Sequence, residues 1–302
     1  MNILFDNVDV ASNSGPNGFA KKLSDQLQKK HNVSFYPDQF TQTDVQLSFI
    51  EKRYKTAAPT VQRLDGIYFN TRFDFDAQNM MIKKTYNEAE AVIVQSEFDR
   101  MLISERFGAR TDINVIHNGA PDWKNIRSRR NNTLEPVGDV WLCASAWRPH
   151  KRLNECIRYF CEHSLPEDIL LVAGSGTTQE YVHKQADRVF YIGDLAYHDL
   201  INWMLAVKYF IHLAWLDHCP NVVVDARQCG CHIICSSSGG TEEIAGLNST
   251  VVIEPSWNFE PVDLYDPPSL DFTSTRQGRF NNDCSIDTAA ASYERVLASV
   301  MK

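Results

Sequence analysis

The sequence predicts an α/β protein built from two doubly wound parallel sheets facing each other. Two observations carry that reading. Short apolar runs alternate with amphipathic stretches almost from end to end, the mark of strands and helices in parallel layers. The alternation breaks once, between Asp122 and Pro136, where a polar, aperiodic stretch reads as a linker, and then begins a second cycle.

In the first cycle, apolar runs at Asn2–Asn7, Val33–Tyr36, Val45–Phe49, Thr60–Leu64, Ala91–Gln95 and Asn114–Ile116 read as strands. Helices are expected between them, most clearly at Phe19–Lys30, with Phe19, Leu23 and Leu27 in four-residue steps, and at Glu97–Phe107, ended by Gly108. In the second cycle, strands are expected at Val140–Ala144, Ile169–Ala173, Val189–Ile192, Tyr209–Leu213, His232–Cys235 and Val251–Ile253. Their helices fall at Arg152–His163, Thr178–Lys184, Tyr197–Leu205 and Asn221–Gln228. Glu254 to Phe280, rich in Pro and aromatic residues, reads as an extended loop, and a last helix follows at Asp287–Val300. The expected division is a domain over 1–122, a linker over 123–136 and a domain over 137–283, with the last helix returning to the first domain.

With 302 residues, 43% hydrophobic and 23% charged, each half can bury its own core. The net charge of -8 weighs against a surface that grips nucleic acid along its length, so phosphate chemistry must be local. There is no apolar window of membrane-spanning length, and Met1 to Asp6 reads as a strand rather than a signal peptide, which places the protein in the cytoplasm. Cys219, Cys229, Cys231 and Cys235 cluster with His218 and His232, but no paired Cys-x2-Cys knuckles are present. Reduced, half-buried thiols are the expectation, with no metal site.

Ligands of open parallel sheets bind beyond the carboxyl ends of the strands. After the first strand, Ser12 to Phe19 holds Gly15 and Gly18 and runs into a helix start, offering backbone N–H groups to an anion or forming an ordinary tight turn. From Asp217 to Gly230, two carboxylates bracket a helix start at Pro220, so the N–H groups near Asn221 and Val222 would face an anion beside Asp217. Asp225 sits among valines on a helix that should be buried; a ribose diol would satisfy it, or it caps a neighbouring loop. Arg148, Lys151 and Arg152 follow a strand and precede a helix, a cluster able to neutralise a diphosphate leaving group. Gly174 and Gly176, the run Gly193, Asp194 and Leu195, and Gly239 to Glu243 end neighbouring strands, and together these loops would furnish one crevice. The cluster Arg127 to Arg130 reads as a solvated part of the linker, with an anionic lipid or glycan as the alternative.

These residues resemble the retaining GT-B glycosyltransferases of glycosyltransferase family 4, over nearly the whole chain. Asp217 to Glu243 looks like the family's Glu-x7-Glu region followed by Gly-Gly-x-x-Glu, and Val189 to Gly193 like the strand that frames the donor base. Trp141 to Phe160 is similar to its phosphate-binding segment, and Ala91 to Phe98 with Val115 to Gly119 to the end of its N-terminal domain. The resemblance implies two Rossmann-like domains facing each other across a cleft, the first taking the acceptor and the second a nucleotide-sugar donor. It implies that Asp217 contacts the transferred sugar, Asp225 the ribose, Lys151 the diphosphate, and Cys219, Pro220, Asn221 and Val222 the donor's phosphate or sugar. It implies no metal and no cofactor beyond the donor itself, a UDP-, GDP- or ADP-sugar, and a carbohydrate, lipid or small-molecule acceptor. Both acids are Asp where Glu is usual, Ala146 stands in the usual arginine position with Arg148 as its substitute, and Asp65 with Gly66 replaces a usual His-Gly. Asp65 is therefore expected to meet a sugar hydroxyl.

The expected reaction is transfer with retention, without a protein nucleophile, with Arg148, Lys151 and helix N-termini stabilising the departing diphosphate. The double Asp and Ala146 keep open a silent nucleotide-sugar binding module. A same-fold epimerase, or a transferase acting on a modified nucleic-acid base, is the third reading. Donor base, sugar, acceptor and oligomeric state have no motif in the chain.

Overall fold

The computed structural model describes residues 1–12, 14–123, 138–184 and 186–301. They form two compact units: Met1–Ala120 with Asn258–Val262 and Asp283–Lys302, and Pro121–Trp257 with Asp263–Asn282. From residue 124 the expected linker, with its Arg127 to Arg130 cluster, lies outside the described residues.

The first unit is a six-stranded parallel sheet of β1 (Asn2–Asp6), β2 (Asn32–Ser34), β3 (Val45–Phe49), β4 (Thr60–Leu64), β5 (Ala91–Val94) and β6 (Ile113–Val115), in the order β2-β1-β3-β4-β5-β6. β3, β4 and β5 are buried along their whole length, as parallel strands covered on both faces must be. Phe19, Leu23 and Leu27 of α1 (Gly15–Leu27) pack with Ala289, Ala290, Tyr293 and Leu297 of the last helix (Ile286–Ser299), so the chain's final helix closes the first core. α1 starts earlier than its apolar stripe because Pro16 suits a first turn, and it ends at Leu27, where the stripe ends. Between β4 and β6 lie α2 (Phe75–Glu88), capped by Asp74, and α3 (Glu97–Phe107), capped by Ser96 and ended by Gly108 at φ +105°.

The second unit is a seven-stranded sheet of β7 (Val140–Ala144), β8 (Ile169–Ala173), β9 (Val189–Gly193), β10 (Tyr209–His212), β11 (His232–Ser236), β12 (Ser249–Val252) and β13 (Thr275–Gln277), in the order β13-β12-β11-β10-β7-β8-β9. Its helices are α4 (Leu153–His163), α5 (Gln179–His183), α6 (Tyr197–Ala206), α7 (Asn221–Cys229) and α8 (Thr241–Ala245); the final helix of the first unit is α9. β13 runs antiparallel to β12 and corrects the expected loop over 254–280. Three residues at a sheet edge, two of them exposed, carry no alternation that a sequence reading could detect.

Each sheet has a point where the winding reverses. β1 lies between β2 and β3, and β7 lies between β8 and β10. The loops after β1 and β3, and those after β7 and β10, therefore splay apart and leave a crevice at each carboxyl edge. No helix among the described residues is long and apolar enough to cross a membrane.

Candidate functional site

In the second unit, the loops after β7 and β10 bring Lys151 and Asp217 together. A 3-10 turn, Pro149–Lys151, follows β7 and presents the lysine, whose Nζ forms an ion pair with Asp217 Oδ2. His212, the last residue of β10, is buried, with Nε2 2.9 Å from the same oxygen, while Asp217 Oδ1 accepts the N–H of His218. Burial opposes the Asp217 charge, yet Lys151 and His212 overcome it and hold the carboxyl well below its ordinary range. Burial also lowers the His212 pKa, against the pull of Asp217. A neutral His212 beside a carboxylate must then carry its proton on Nε2 and donate it.

The backbone under Asp217 is equally constrained. Leu216 adopts φ +52°, and Gly240 N–H donates to the Asp217 carbonyl at 2.7 Å. Gly239 has φ +74°, and a Cβ there would lie 2.3 Å from that carbonyl oxygen, so only glycine fits without displacing Asp217.

The three-cation cluster needs one correction. Arg152 is buried at φ +52° and forms a bidentate pair with Glu254 at 2.8 Å for both contacts, with a further bond to the Pro268 carbonyl. It is structural, and its charge is already matched. Arg148 is exposed, its side chain has no partner among the described residues, and it lines a groove of about 610 Å³ with Trp147, Asn154, Thr177, Tyr181 and Pro268. Lys151 does not line that groove.

The expected helix start is also present. Pro220 precedes α7 and its carbonyl accepts the N–H groups of Val223 and Val224, so that Asn221 and Val222 supply the first amides of the helix start. Cys219 and Pro220 are buried, while Asn221 and Val222 are half-buried. Asp225 is 3% exposed and is reached by the Tyr197 hydroxyl at 2.8 Å and by Trp123 Nε1 at 3.3 Å. It is held by a different set of groups from Asp217, and its carboxylate is satisfied by side chains. Gly174 and Gly176 have φ of +104° and +84°, and a Cβ on either would collide with the carbonyl of Ser145 or Trp147, so the loops after β7 and β8 run in backbone contact. Gly193 accepts from Gly174 N–H, with Asp194 exposed and Leu195 half-buried beyond it. Among the described residues, no three His, Cys, Asp or Glu side chains gather as metal ligands.

In the first unit, Gly15 and Gly18 lie inside the first turn of α1 rather than in a loop, and Gly18 N–H is taken by the Ser14 carbonyl. The expectation of bare amides fails at Gly18 because the helix starts before it. Asp65, at the end of β4, belongs to a network that sequence reasoning missed. Arg63 is fully buried between the rings of Phe19 and Phe49, 4.6 and 5.2 Å from their centroids. It bonds Asp65 Oδ2, the Tyr293 hydroxyl of α9 at 3.0 Å and Asn118 Oδ1 at 2.8 Å. Gln95 Nε2 donates to Asp65 Oδ1 at 2.5 Å, and Asn118 donates to Gln95 at 2.7 Å. Burial works against the Arg63 charge, but Asp65 and Tyr293 more than offset it and raise its pKa. An arginine inside a central parallel strand, two residues before an acid, was the readable signal; His212 closing the apolar run of β10 was the other.

Residues 126–260 match the family model described as glycosyl transferases group 1. A stretch of 138 residues, 43% of this chain, is 22% identical to the Vi polysaccharide biosynthesis protein VipC/TviE of Salmonella typhi, and spans 23% of that protein's length. Among solved structures, the chain is similar to HepE of Anabaena in complex with UDP-glucose, with a TM-score of 0.60 at 15% identity over 100% of this chain and 92% of that one. Sucrose-phosphate synthase of Thermosynechococcus elongatus gives a TM-score of 0.65 at 13% identity, covering 98% and 90%. WaaG, a glycosyltransferase involved in lipopolysaccharide biosynthesis, gives 0.64 at 11% identity, covering 98% and 92%. Residues 126–260 are therefore similar to the group 1 glycosyl transferases, and the chain as a whole has the GT-B fold.

Proposed function

We propose that the protein transfers a sugar from a nucleoside diphosphate sugar to a carbohydrate, lipid or small-molecule acceptor, with retention of configuration, and that the second unit holds the donor. The observation that carries the reading is the Lys151–Asp217 pair at the switch point of the second sheet, in the loop leading to the N-terminus of α7. In the proposed reaction the bond between the sugar's anomeric carbon and the diphosphate oxygen breaks, and a bond to the acceptor oxygen forms on the same face. The acceptor's proton passes to the leaving phosphate. Lys151, Arg148 and the first-turn amides of α7 stabilise the charge that grows on that phosphate, without a metal or further cofactor. Asp217, held by Lys151 and His212, accepts a hydroxyl of the transferred sugar. Asp225 exchanges the Tyr197 hydroxyl for the ribose diol. Asp65, fixed by Arg63 and Gln95, is assigned a sugar hydroxyl in the first unit. The HepE structure with UDP-glucose and the polysaccharide role in the name of VipC/TviE support a nucleotide-sugar chemistry. The proposed reaction takes place in the cytoplasm.

A silent nucleotide-sugar binding module is the second reading, favoured by the full set of partners already on Asp217. Incubation with UDP-, GDP- and ADP-sugars separates the two. An enzyme releases free nucleoside diphosphate, slowly by hydrolysis and faster with acceptor extracts. Binding without release under either condition overturns the transferase reading.

A further inference from the structure

His150 stands beside the Lys151–Asp217 pair with its polar chemistry unfinished. Its ring Nδ1 is buried and has no hydrogen-bond partner among the described residues. The residue is nevertheless held in place. Its carbonyl accepts the Trp215 N–H at 2.7 Å, and its ring lies parallel to that of Tyr265, with centroids 6.1 Å apart and planes 4° from each other. Charged and titratable neighbours reach it from three directions: Arg148 and Lys151 from its own turn, His212 and Asp217 from the end of β10 and the loop after it, and Tyr265 from the segment before β13. A buried ring nitrogen without a protein partner among the described residues, on a residue held in place beside two cations, is positioned to bond a ligand's polar atom.

We propose that His150 is a further anion-binding residue of the diphosphate site, and that a donor phosphate becomes the acceptor for its Nδ1 as the imidazole takes up a proton from solvent. The proposal rests on reading the second unit as the donor site. Burial and the charges of Lys151 and Arg148 bring the His150 pKa down to about 4, despite the opposing pull of Asp217. The ring is therefore neutral near pH 7. A diphosphate reverses the local charge balance and favours the imidazolium. No bond other than N–H forms, and the proton comes from water or buffer. Because the bound state holds more protons, donor affinity falls as pH rises, by up to about tenfold per pH unit between the free and bound pKa values. His212 already gives its proton to Asp217, so its contribution must be separated by substitution.

The test is titration calorimetry at about pH 6 with UDP-glucose, GDP-mannose and ADP-glucose, in buffers of different ionisation enthalpy. These diesters lack the phosphate ionisation that free nucleoside diphosphates undergo near pH 6. Wild type should take up ~0.5–1 proton on binding. His150→Gln and His150→Phe should take up close to none, bind about tenfold more weakly at that pH and lose the pH dependence. His150→Phe keeps a ring against Tyr265, so its loss of uptake is not a loss of stacking. Uptake unchanged in both variants, or none in a wild type that binds, overturns the proposal alone. If none of the three sugars binds wild type, the donor-site reading falls and the proposal with it.

Discussion

Lowering the pH should destabilise the second unit through two histidines, and the size of the loss follows from their surroundings. His150 would protonate near pH 6.5 in the unfolded chain but only near about 4 in the folded one. A depressed histidine leaves stability intact above pH 6.5 and erodes it as pH falls from there towards the folded value. Between pH 7.5 and 4.5 the unfolded imidazole gains almost a full proton while the folded one stays mostly neutral, a difference of about 2 to 3 kcal/mol. His212, also depressed by burial, adds a loss of the same sign. The Lys151–Asp217 pair contributes little in this range, because the stability of a carboxyl with a lowered pKa is lost mainly as pH falls below its unfolded value of 3.8. Thermal unfolding of wild type and His150→Gln, followed from pH 7.5 to 4.5, measures the effect. A loss of about 2.5 kcal/mol lowers the midpoint of a unit of this size by roughly 5 to 10 °C. His150→Gln should start lower or equal at pH 7.5 and fall less steeply. The same fall in both proteins would refute the assignment of that proton to His150.

Three further outcomes are expected. Gly239→Ala places a methyl 2.3 Å from the Asp217 carbonyl at a φ of +74°, so it should cost about 1–3 kcal/mol and weaken nucleotide-sugar binding more than global stability, read by calorimetry beside thermal unfolding. Tyr293→Phe strips one hydrogen bond from the fully buried Arg63 and should lower the first unit's stability by about 1–3 kcal/mol, whereas Arg63→Met, which leaves Asp65 without its cation, should cost about 3–5 kcal/mol in chemical unfolding. Asp225→Ala should lower affinity for a ribonucleotide by about tenfold while leaving affinity for its 2′,3′-dideoxy analogue unchanged; equal losses for both would remove Asp225 from ribose binding.

The parallel strands were legible because their residues are buried on both faces, which leaves uninterrupted apolar runs such as Ile169 to Ala173 and Ala91 to Val94. The pairing of Lys151 with Asp217 was legible only in part. Both residues end strand-loop units, but that β7 and β10 are neighbours is a property of the sheet order, which local pattern does not encode. Arg152 was misread because a sequence lists its charge and not its counter-charge: Glu254 lies 102 residues away. Tyr293, Arg63 and Asn118 meet for the same reason, through contacts of 230 and 55 residues' separation. Asp225 was correctly singled out as a buried acid, but Tyr197 and Trp123, its partners, come from segments with no motif.

The central claim is that Lys151 receives a donor's diphosphate. It is tested by thermal shift of wild type and Lys151→Ala with UDP, GDP, ADP and the corresponding sugars. At a hundredfold excess over the dissociation constant, one diphosphate should raise the wild-type midpoint by about 5 to 10 °C, and should leave a folded Lys151→Ala unmoved. A wild type indifferent to every nucleotide, or a variant that shifts as wild type does, would contradict the account.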